Sequence, residues 1–336
     1  MLKQILASLA VAAVTPAIAT AQAGSKPIVY VSSTPVGVNE FLKLGVLGSQ
    51  KAAKALGVDA KVYESSDPTT IRQNLEAAAK AGASVIVVTG FEFDDILPDV
   101  APRYPDQKFL SVDTCAVKPP ANVFCAVFKE HETSFIAGAE AALTSETGKV
   151  GAIGAMDIPF IHRYTTAFID GAKYAKPDIQ VSSPVWIGGD NPFSDPARGQ
   201  MRATVVFSDG ADRVVTAASA SNGGVFKATQ DFPGTAAFGV DINECKNAPG
   251  AVMDNIEKRV DVVIEARVAD IMKGNPAQSV EFGLADNGMT LTGLGDDVAD
   301  SQCLIAKYPD VITKLRQIRD DIVAGKIKVN DPMAQN

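Results

Sequence analysis

The chain reads as an α/β protein with two sheets in tandem. Short β-rich runs alternate with longer helical patterns from residue 26 onward, and the alternation restarts after Phe128. Runs such as 84–89 (SVIVVT) are almost continuously apolar, as strands are in a parallel sheet covered on both faces. The 336 residues fit about two domains at roughly 150 residues each. With 46% hydrophobic and 21% charged residues, the chain can build a sizeable core, which excludes disorder for most of it.

In the first half, 28–33 (IVYVSS) reads as a strand, 39–56 as a helix and 60–64 as a strand. A helix follows over 68–81, with Asp67 as N-cap, Pro68 in the first turn and Gly82 at the end. Its apolar face is Ile71, Leu75, Ala78 and Ala79, at i, i+4, i+7 and i+8. Strands follow at 84–89 and 108–113, and repeated βα units of this kind make a doubly wound layer. In the second half, helices are expected at 133–147, 161–174, 195–207 and 223–231. The strands between and after them are 149–153, 180–187, 213–217 and 236–240. A further helix covers 260–272. Residues 280–294, with turns at Asn287-Gly288 and Gly293, read as strands. The last helix, 311–324, stops at Gly325, and the polar tail 330–336 is expected to be loose.

Lys and Arg total 31 against 39 Asp and Glu, a net charge of −8, and no basic block stands out. The electrostatic footprint of a nucleic-acid binder is missing. One Trp and two His leave metal sites and His-based catalysis thinly supplied, and no cofactor is expected. Residues 1–23 carry Lys3, a short apolar run over 5–14 and small-residue cleavage patterns around Ala21 and Ala23, the marks of a secretory signal peptide. The run is too short to span about 30 Å of hydrocarbon, which takes roughly 20 residues. No Cys follows the cleavage patterns, so a lipid anchor is not expected. The mature protein is expected to be exported, soluble and not inserted in the membrane. Four Cys in an exported chain favour disulfides, with three possible connectivities. Cys115 and Cys125 flank one Pro-containing loop, which favours that pair and leaves Cys245 with Cys303. The alternative is four buried thiols, and the close spacing of a zinc site is absent.

Two lobes imply a cleft, and the carboxyl ends of parallel strands point into such clefts. The strand ends here carry Ser32-Ser33, Thr89-Gly90-Phe91, Asp113, Met156-Asp157, Trp186, Ser219 to Asn222, and Asp241. Without a His or metal cluster among them, this looks like a binder rather than a catalyst. Phe41 opens a helix after the first strand, as a stacking platform or a core ring. Phe91 and Trp186 line the cleft or pack within their lobe. Asp241 and Asp113 accept from ligand hydroxyls or cap their own turns. Lys258 reaches a ligand hydroxyl or lies on the surface. Asn222-Gly223-Gly224 lets backbone approach a ligand or merely caps a helix. His162, beside Phe160, offers one donor and one acceptor, whereas His131 in a charged run reads as a solvated hinge residue.

Several segments resemble one family in order and spacing. Lys129-Glu130-His131-Glu132-Thr133-Ser134-Phe135-Ile136-Ala137-Gly138 is similar to its hinge and helix start. Lys149-Val150-Gly151 with Gly154, Phe168-Ile169-Asp170-Gly171-Ala172, Asp195-Pro196-Ala197-Arg198-Gly199, Gly210-Ala211-Asp212, Asn222-Gly223-Gly224-Val225 and Gly239-Val240-Asp241 follow, with Lys258 after the return strand. The family is the basic membrane protein (BMP, PnrA-like) group of type I periplasmic substrate-binding proteins of ABC importers. The resemblance covers most of the mature chain.

It implies two doubly wound Rossmann-like lobes joined by a three-crossover hinge, with residues 26–128 and 244–278 in one lobe and 129–243 and 279–325 in the other. It implies a monomer in the periplasm, a purine nucleoside-type ligand sandwiched between aromatics of the two lobes, and an ABC permease as partner. By position, Phe41 matches the first aromatic, Asp241 a ribose-binding aspartate and Lys258 a polar clamp; Phe193 is the candidate for the opposite aromatic. The family's Asp-x-Ser-Phe-Asn run is replaced by Val38-Asn39-Glu40-Phe41-Leu42, which leaves another cyclic polar ligand open. Asn39 then becomes a candidate beside the ring. Rival readings are an exported nucleoside or sugar hydrolase, which needs paired carboxylates or a metal cluster, a sugar receptor of the same fold, and a sensor module for a receptor kinase.

Overall fold

The computed structural model describes residues 26–334; the expected signal peptide and the last two residues lie outside them. Strands β1 (Ile28–Val31), β2 (Ala60–Tyr63), β3 (Val85–Thr89), β4 (Phe109–Asp113) and β5 (Val123–Phe128) alternate with helices α1 (Glu40–Leu56), α2 (Pro68–Lys80) and α3 (Leu97–Val100). Local chemistry sets several of these ends. Asn39 caps α1 by accepting from Leu42 N at 3.2 Å, and Gly57 ends it at φ 67°, a left-handed backbone that suits glycine. Asp67 caps α2 in a capping box with Thr70, with Pro68 in the first turn.

The second half contains α4 (Glu130–Thr144), β6 (Lys149–Gly154), α5 (Pro159–Ala175), β7 (Gln180–Val181), β8 (Val185–Trp186), α6 (Pro196–Ser208), β9 (Arg213–Ala217), α7 (Asn222–Ala228) and β10 (Ala236–Asp241). It continues with β11 (Val252–Lys258), α8 (Val260–Lys273), β12 (Ser279–Phe282), β13 (Met289–Leu291) and α9 (Pro309–Val323). The expected single strand over 180–187 is two short ones, because the chain leaves the sheet between Val181 and Val185. Strands β5 and β11 were not anticipated as such.

Two sheets result, with strand orders β12-β5-β4-β3-β1-β2 and β13-β11-β10-β9-β6-β7. They match strand for strand, except that β12 runs parallel to β5 while β13 runs antiparallel to β11. The chain passes between lobes three times. It leaves the first sheet after β5, returns after β11 so that α8 packs on α1, and crosses back between β12 and β13. Strand pairing corrects the expected lobe boundaries. Residues 252–258 hydrogen-bond to β10 in the second sheet, and residues 279–282 to β5 in the first. The exchange points are therefore near 129, 259 and 283–288, not at 243/244 and 278/279.

Each disulfide stays within one lobe: Cys115–Cys125 in the first and Cys245–Cys303 in the second. Among the described residues the expected loose tail is tied down at Asp331. Ile327 and Val329 pack against the core, and Asp331 accepts from Arg163 Nε at 2.8 Å and Nη2 at 2.6 Å. Among the described residues no helix is long and apolar enough to cross a membrane.

Helices α4 and α5 pack backbone to backbone. A Cβ on Gly138 would lie 1.8 Å from the Phe168 carbonyl oxygen, and one on Gly171 would lie 1.8 Å from that of Phe135. Both obstacles are backbone and cannot swing away. Gly138→Ala is therefore expected to lower stability by at least ~1–3 kcal/mol, the usual cost of overpacking. Gly223→Ala, where a Cβ meets nothing within 4 Å, is the control and should not lower the urea midpoint. Equal midpoints for the two variants would refute the backbone contact.

Candidate functional site

The two matching strands β4 and β10 end in aspartates, Asp113 and Asp241. Both leave the strand with left-handed backbone, at φ 93° and 74°, and Ser219 just beyond β9 does so at φ 50°. Left-handed φ costs a non-glycine residue on the order of 1 kcal/mol, and such strain gathers at functional sites. All three residues line a cavity between the lobes, of about 100 Å³ counted as room for the centres of water-sized spheres. That is space for a small ring compound or a cluster of waters rather than a single one.

Rings from both lobes form its walls. Phe41 stands in the first turn of α1 and Phe91 just beyond β3; Phe160 stands in the first turn of α5 and Phe193 in the loop before α6. Phe91 and Phe193 meet across the cleft, with centroids 6.1 Å apart and planes at 49°. Beside them Ser219 Oγ lies 3.0 Å from Asn39 Oδ1 and 3.4 Å from Asp241 Oδ2, so polar groups also touch from lobe to lobe.

At the hinge side lies Lys258, the last residue of β11, only 2% exposed. Its Nζ donates to Asp113 Oδ1 and, at 2.8 Å, to Glu130 Oε1. The rings of Phe41, Phe128, Phe160 and Tyr164 stand 5.1–5.7 Å from the same nitrogen, within cation–π range. Glu130 is held in turn by Arg163 Nη1 at 3.2 Å, which also donates to the Phe128 carbonyl at 2.9 Å. A continuous line of alternating charges thus runs from Asp331 in the tail through Arg163, Glu130 and Lys258 to Asp113 in the cavity.

Burial alone would push the Lys258 ammonium down, but Asp113 and Glu130 hold its pKa well above the ordinary lysine value. Burial pushes the Asp113 carboxyl up to about 7, with Lys258 pulling the other way. Burial also carries Asp241 up to about 6. Unfolded, both groups titrate near 3.8. Their protonated forms therefore favour the folded free protein below that pH, and the advantage is lost as pH climbs through about 6 and 7. At neutral pH the two buried carboxylates carry an electrostatic cost.

Of the residues singled out from sequence, Asn39, Phe41, Phe91, Asp113, Phe160, Phe193, Asp241 and Lys258 come together here. Four do not. His162 Nε2 pairs with Asp157 at 2.8 Å and Nδ1 lies 3.2 Å from Thr166 Oγ1, one turn further into α5 than His162 itself. Trp186 packs edge-on against that imidazole, 5.3 Å away, and over Gly154. Asn222 is buried and accepts from Thr216 Oγ1 at 2.8 Å and Ala218 N at 3.0 Å, which fixes the turn after β9. Gly223 faces a separate hollow beside Phe226 and Glu244. His131 is buried rather than solvated, with Nδ1 3.9 Å from Asp331. Burial pushes this imidazole down.

Sequence reasoning missed Glu92, Tyr164 and Asn191 in the cavity lining, and Glu130 behind it. Glu92 did carry a signal, since it adjoins Phe91 directly after a strand end. Glu130 carried one only through the hinge run that resembles the family's, because by residue type a Glu in the run Lys129-Glu130-His131-Glu132 reads as solvated. Among the described residues no three His, Cys, Asp or Glu side chains are grouped to hold a metal ion.

The fold matches solved solute-binding proteins. A solute-binding protein of an ABC transporter system from Aeropyrum pernix K1 superposes with a TM-score of 0.80 at 23% identity, covering 93% of this chain and 95% of that one. In sequence, the CD4+ T-cell-stimulating antigen of Listeria monocytogenes is 26% identical over 307 residues, covering 84% of this chain and 81% of the relative. The ABC transporter nucleoside-binding protein BmpA of Lactococcus lactis subsp. cremoris is 28% identical over 292 residues, covering 81% and 78%. The family model described as ABC transporter substrate-binding protein PnrA-like matches residues 36–331, and the chain belongs to that Bmp family.

Proposed function

We propose that the protein is a periplasmic receptor that delivers a purine nucleoside, or a closely related ribosyl compound, to an ABC permease. The observation that carries this reading is the cavity itself. Both lobes wall it with aromatic rings, and at the strand end opposite Asp113 it offers Asp241, a carboxylate with no cation in salt-bridge contact among the described residues. Phe41 and Phe193 line the cavity from the two lobes and would flank a flat ring, and two adjacent sugar hydroxyls can donate to the two oxygens of Asp241. The nucleoside-binding name of the Lactococcus lactis relative supports the ligand class. Two disulfides suit an oxidising compartment such as the periplasm.

The mechanism is closure. An open form admits the ligand, the lobes rotate about the three crossovers, and contacts from both lobes favour the closed form. Asn39 and Ser219, Phe91 and Phe193 are the groups that meet as the cleft shuts. The permease then reads the closed shape, and no bond in the ligand is made or broken.

Calorimetry with guanosine, inosine, adenosine, ribose and glucose tests the assignment. Nucleosides are expected to bind, free pentose and hexose not, and the radius of gyration by small-angle scattering is expected to fall with the bound nucleoside. Phe41→Ala is expected to weaken binding by about 1–3 kcal/mol, the worth of one stacked base. Release of free base during incubation would favour the hydrolase reading. Binding of hexose alone would favour a sugar receptor.

The raised carboxyl of Asp241 gives a pH test. Hydroxyl donors need the ionised form, so affinity should be level above about pH 7 and fall as pH drops through about 6. Asp113 titrates in the same range, so the measure is the difference between wild type and Asp241→Asn. The variant should bind more weakly at pH 7.5 and lose less on acidification. Identical pH slopes would remove Asp241 from the ligand contact.

A further inference from the structure

We propose that Glu92 is a specificity-determining residue of the cleft, whose carboxylate accepts hydrogen bonds from adjacent N–H donors on the edge of the ligand's base, a ring N–H and an exocyclic amino group. The inference deepens the nucleoside reading and rests on it. It predicts preference for a base that presents two neighbouring donors, as guanine does, over one that presents an acceptor there, as adenine does.

Three carboxylates line the cavity, and they are not equivalent. Asp113 is bonded to Lys258. Asp241 sits on the second lobe beside Ser219. Glu92 belongs to the first lobe, and no cation makes a salt bridge to it among the described residues; the Ser33 hydroxyl and its own backbone N–H are its hydrogen-bond partners. Asn39, on the same lobe, already has its Oδ1 engaged by Leu42 N and Ser219 Oγ. Glu92 is therefore the first lobe's lining carboxylate outside a salt bridge, and its two oxygens keep lone pairs beyond those taken by Ser33 and its own N–H.

Its position follows from the backbone. Residue 90 is a glycine at φ 102°, and a Cβ there would lie 2.5 Å from Glu92 Oε2. The missing side chain is what lets the carboxylate fold back over the strand end into the cavity wall. Burial raises this carboxyl above its ordinary value, consistent with a group partly withdrawn from water. Glu92 also follows Phe91, the ring that meets Phe193 across the cleft. A base held between aromatic faces turns its edge toward such a neighbour.

An ionised carboxylate is acceptor-only, with two oxygens in one plane. Guanine offers N1–H and an amino hydrogen side by side, which matches it in bidentate fashion. Adenine offers an acceptor at N1, which leaves one carboxylate oxygen facing a lone pair. A glutamine at this position has the reverse pattern. In the same pose adenine presents N1 and C2–H, and the amide N–H of a glutamine donates to N1 where the carboxylate met a lone pair.

The test is calorimetry on the mature protein with guanosine, adenosine and unsubstituted purine riboside. Wild type is expected to bind guanosine at least tenfold more tightly than adenosine. Glu92→Gln is expected to weaken guanosine at least tenfold, strengthen adenosine and change purine riboside less than threefold. Glu92→Asp keeps the charge and should keep the order of preference with weaker binding; it also carries the test if the glutamine variant melts early. A wild type that prefers adenosine overturns the proposal, as does a glutamine variant that weakens all three alike or none. If wild type binds none of the three, the nucleoside reading fails and this inference falls with it. Selectivity unchanged by both variants refutes Glu92 alone.

Discussion

A single ammonium group, that of Lys258, is the constraint around which the molecule is arranged. At 2% exposure it cannot be left without compensation, since removing one partner of a buried pair typically costs about 3–5 kcal/mol. Its partners come from different parts of the chain. Asp113 belongs to the first lobe's sheet, Glu130 to the first crossover and Lys258 to the second lobe's edge of the second crossover. Arg163 and Asp331 extend the line to the carboxyl-terminal segment. The lobes are thus tied on the hinge side by charge, while the far side of the cleft is closed by the lighter contacts of Phe91 with Phe193 and Asn39 with Ser219.

That asymmetry suits a receptor that must open. Electrostatic contacts near the crossovers change little when lobes rotate about them, whereas contacts at the mouth must break. The mouth contacts are one ring pair and one hydroxyl. The cavity between them concentrates left-handed backbone at Asp113, Ser219 and Asp241 with carboxyls raised by burial. The raised carboxyls are a cost carried by the free protein at neutral pH; under the proposed function ligand donors reduce it and so shift the balance toward the closed form.

Most of the fold was legible because the periodicities were strong. The run SVIVVT and the capped helix after Asp67 permit one reading each. Strand β11 was obscured by Asp254 and Asn255, residues that disfavour strands. They are tolerated because Gly293 N donates to Asp254 at 2.9 Å and Asn255 Nδ2 reaches Thr292 at 3.2 Å, partners 37 or more residues away. The register against β10 also shifts there, an extra residue that no local pattern announces. The three crossovers came from resemblance, since no residue pattern says which sheet a strand will join. At the site, strand ends found Asp113 and Asp241 because the topology brings such ends together. The same rule overreached at Trp186, where a two-residue strand ends against His162. Lys258 and Glu130 were misjudged in burial because each is neutralised by residues distant in sequence.

The reciprocal glycine contact between α4 and α5 has a consequence for how such a receptor can diversify. Gly138 and Gly171 allow the helices to touch backbone to backbone, and so set the spacing at which Glu130 and Arg163, near the helix starts, meet. The geometry of the ion pair behind the cavity is thereby fixed by two residues that do not line it. Side chains facing the solute can be exchanged without disturbing that framework, so one scaffold can be retuned to new cargo by changing its lining alone.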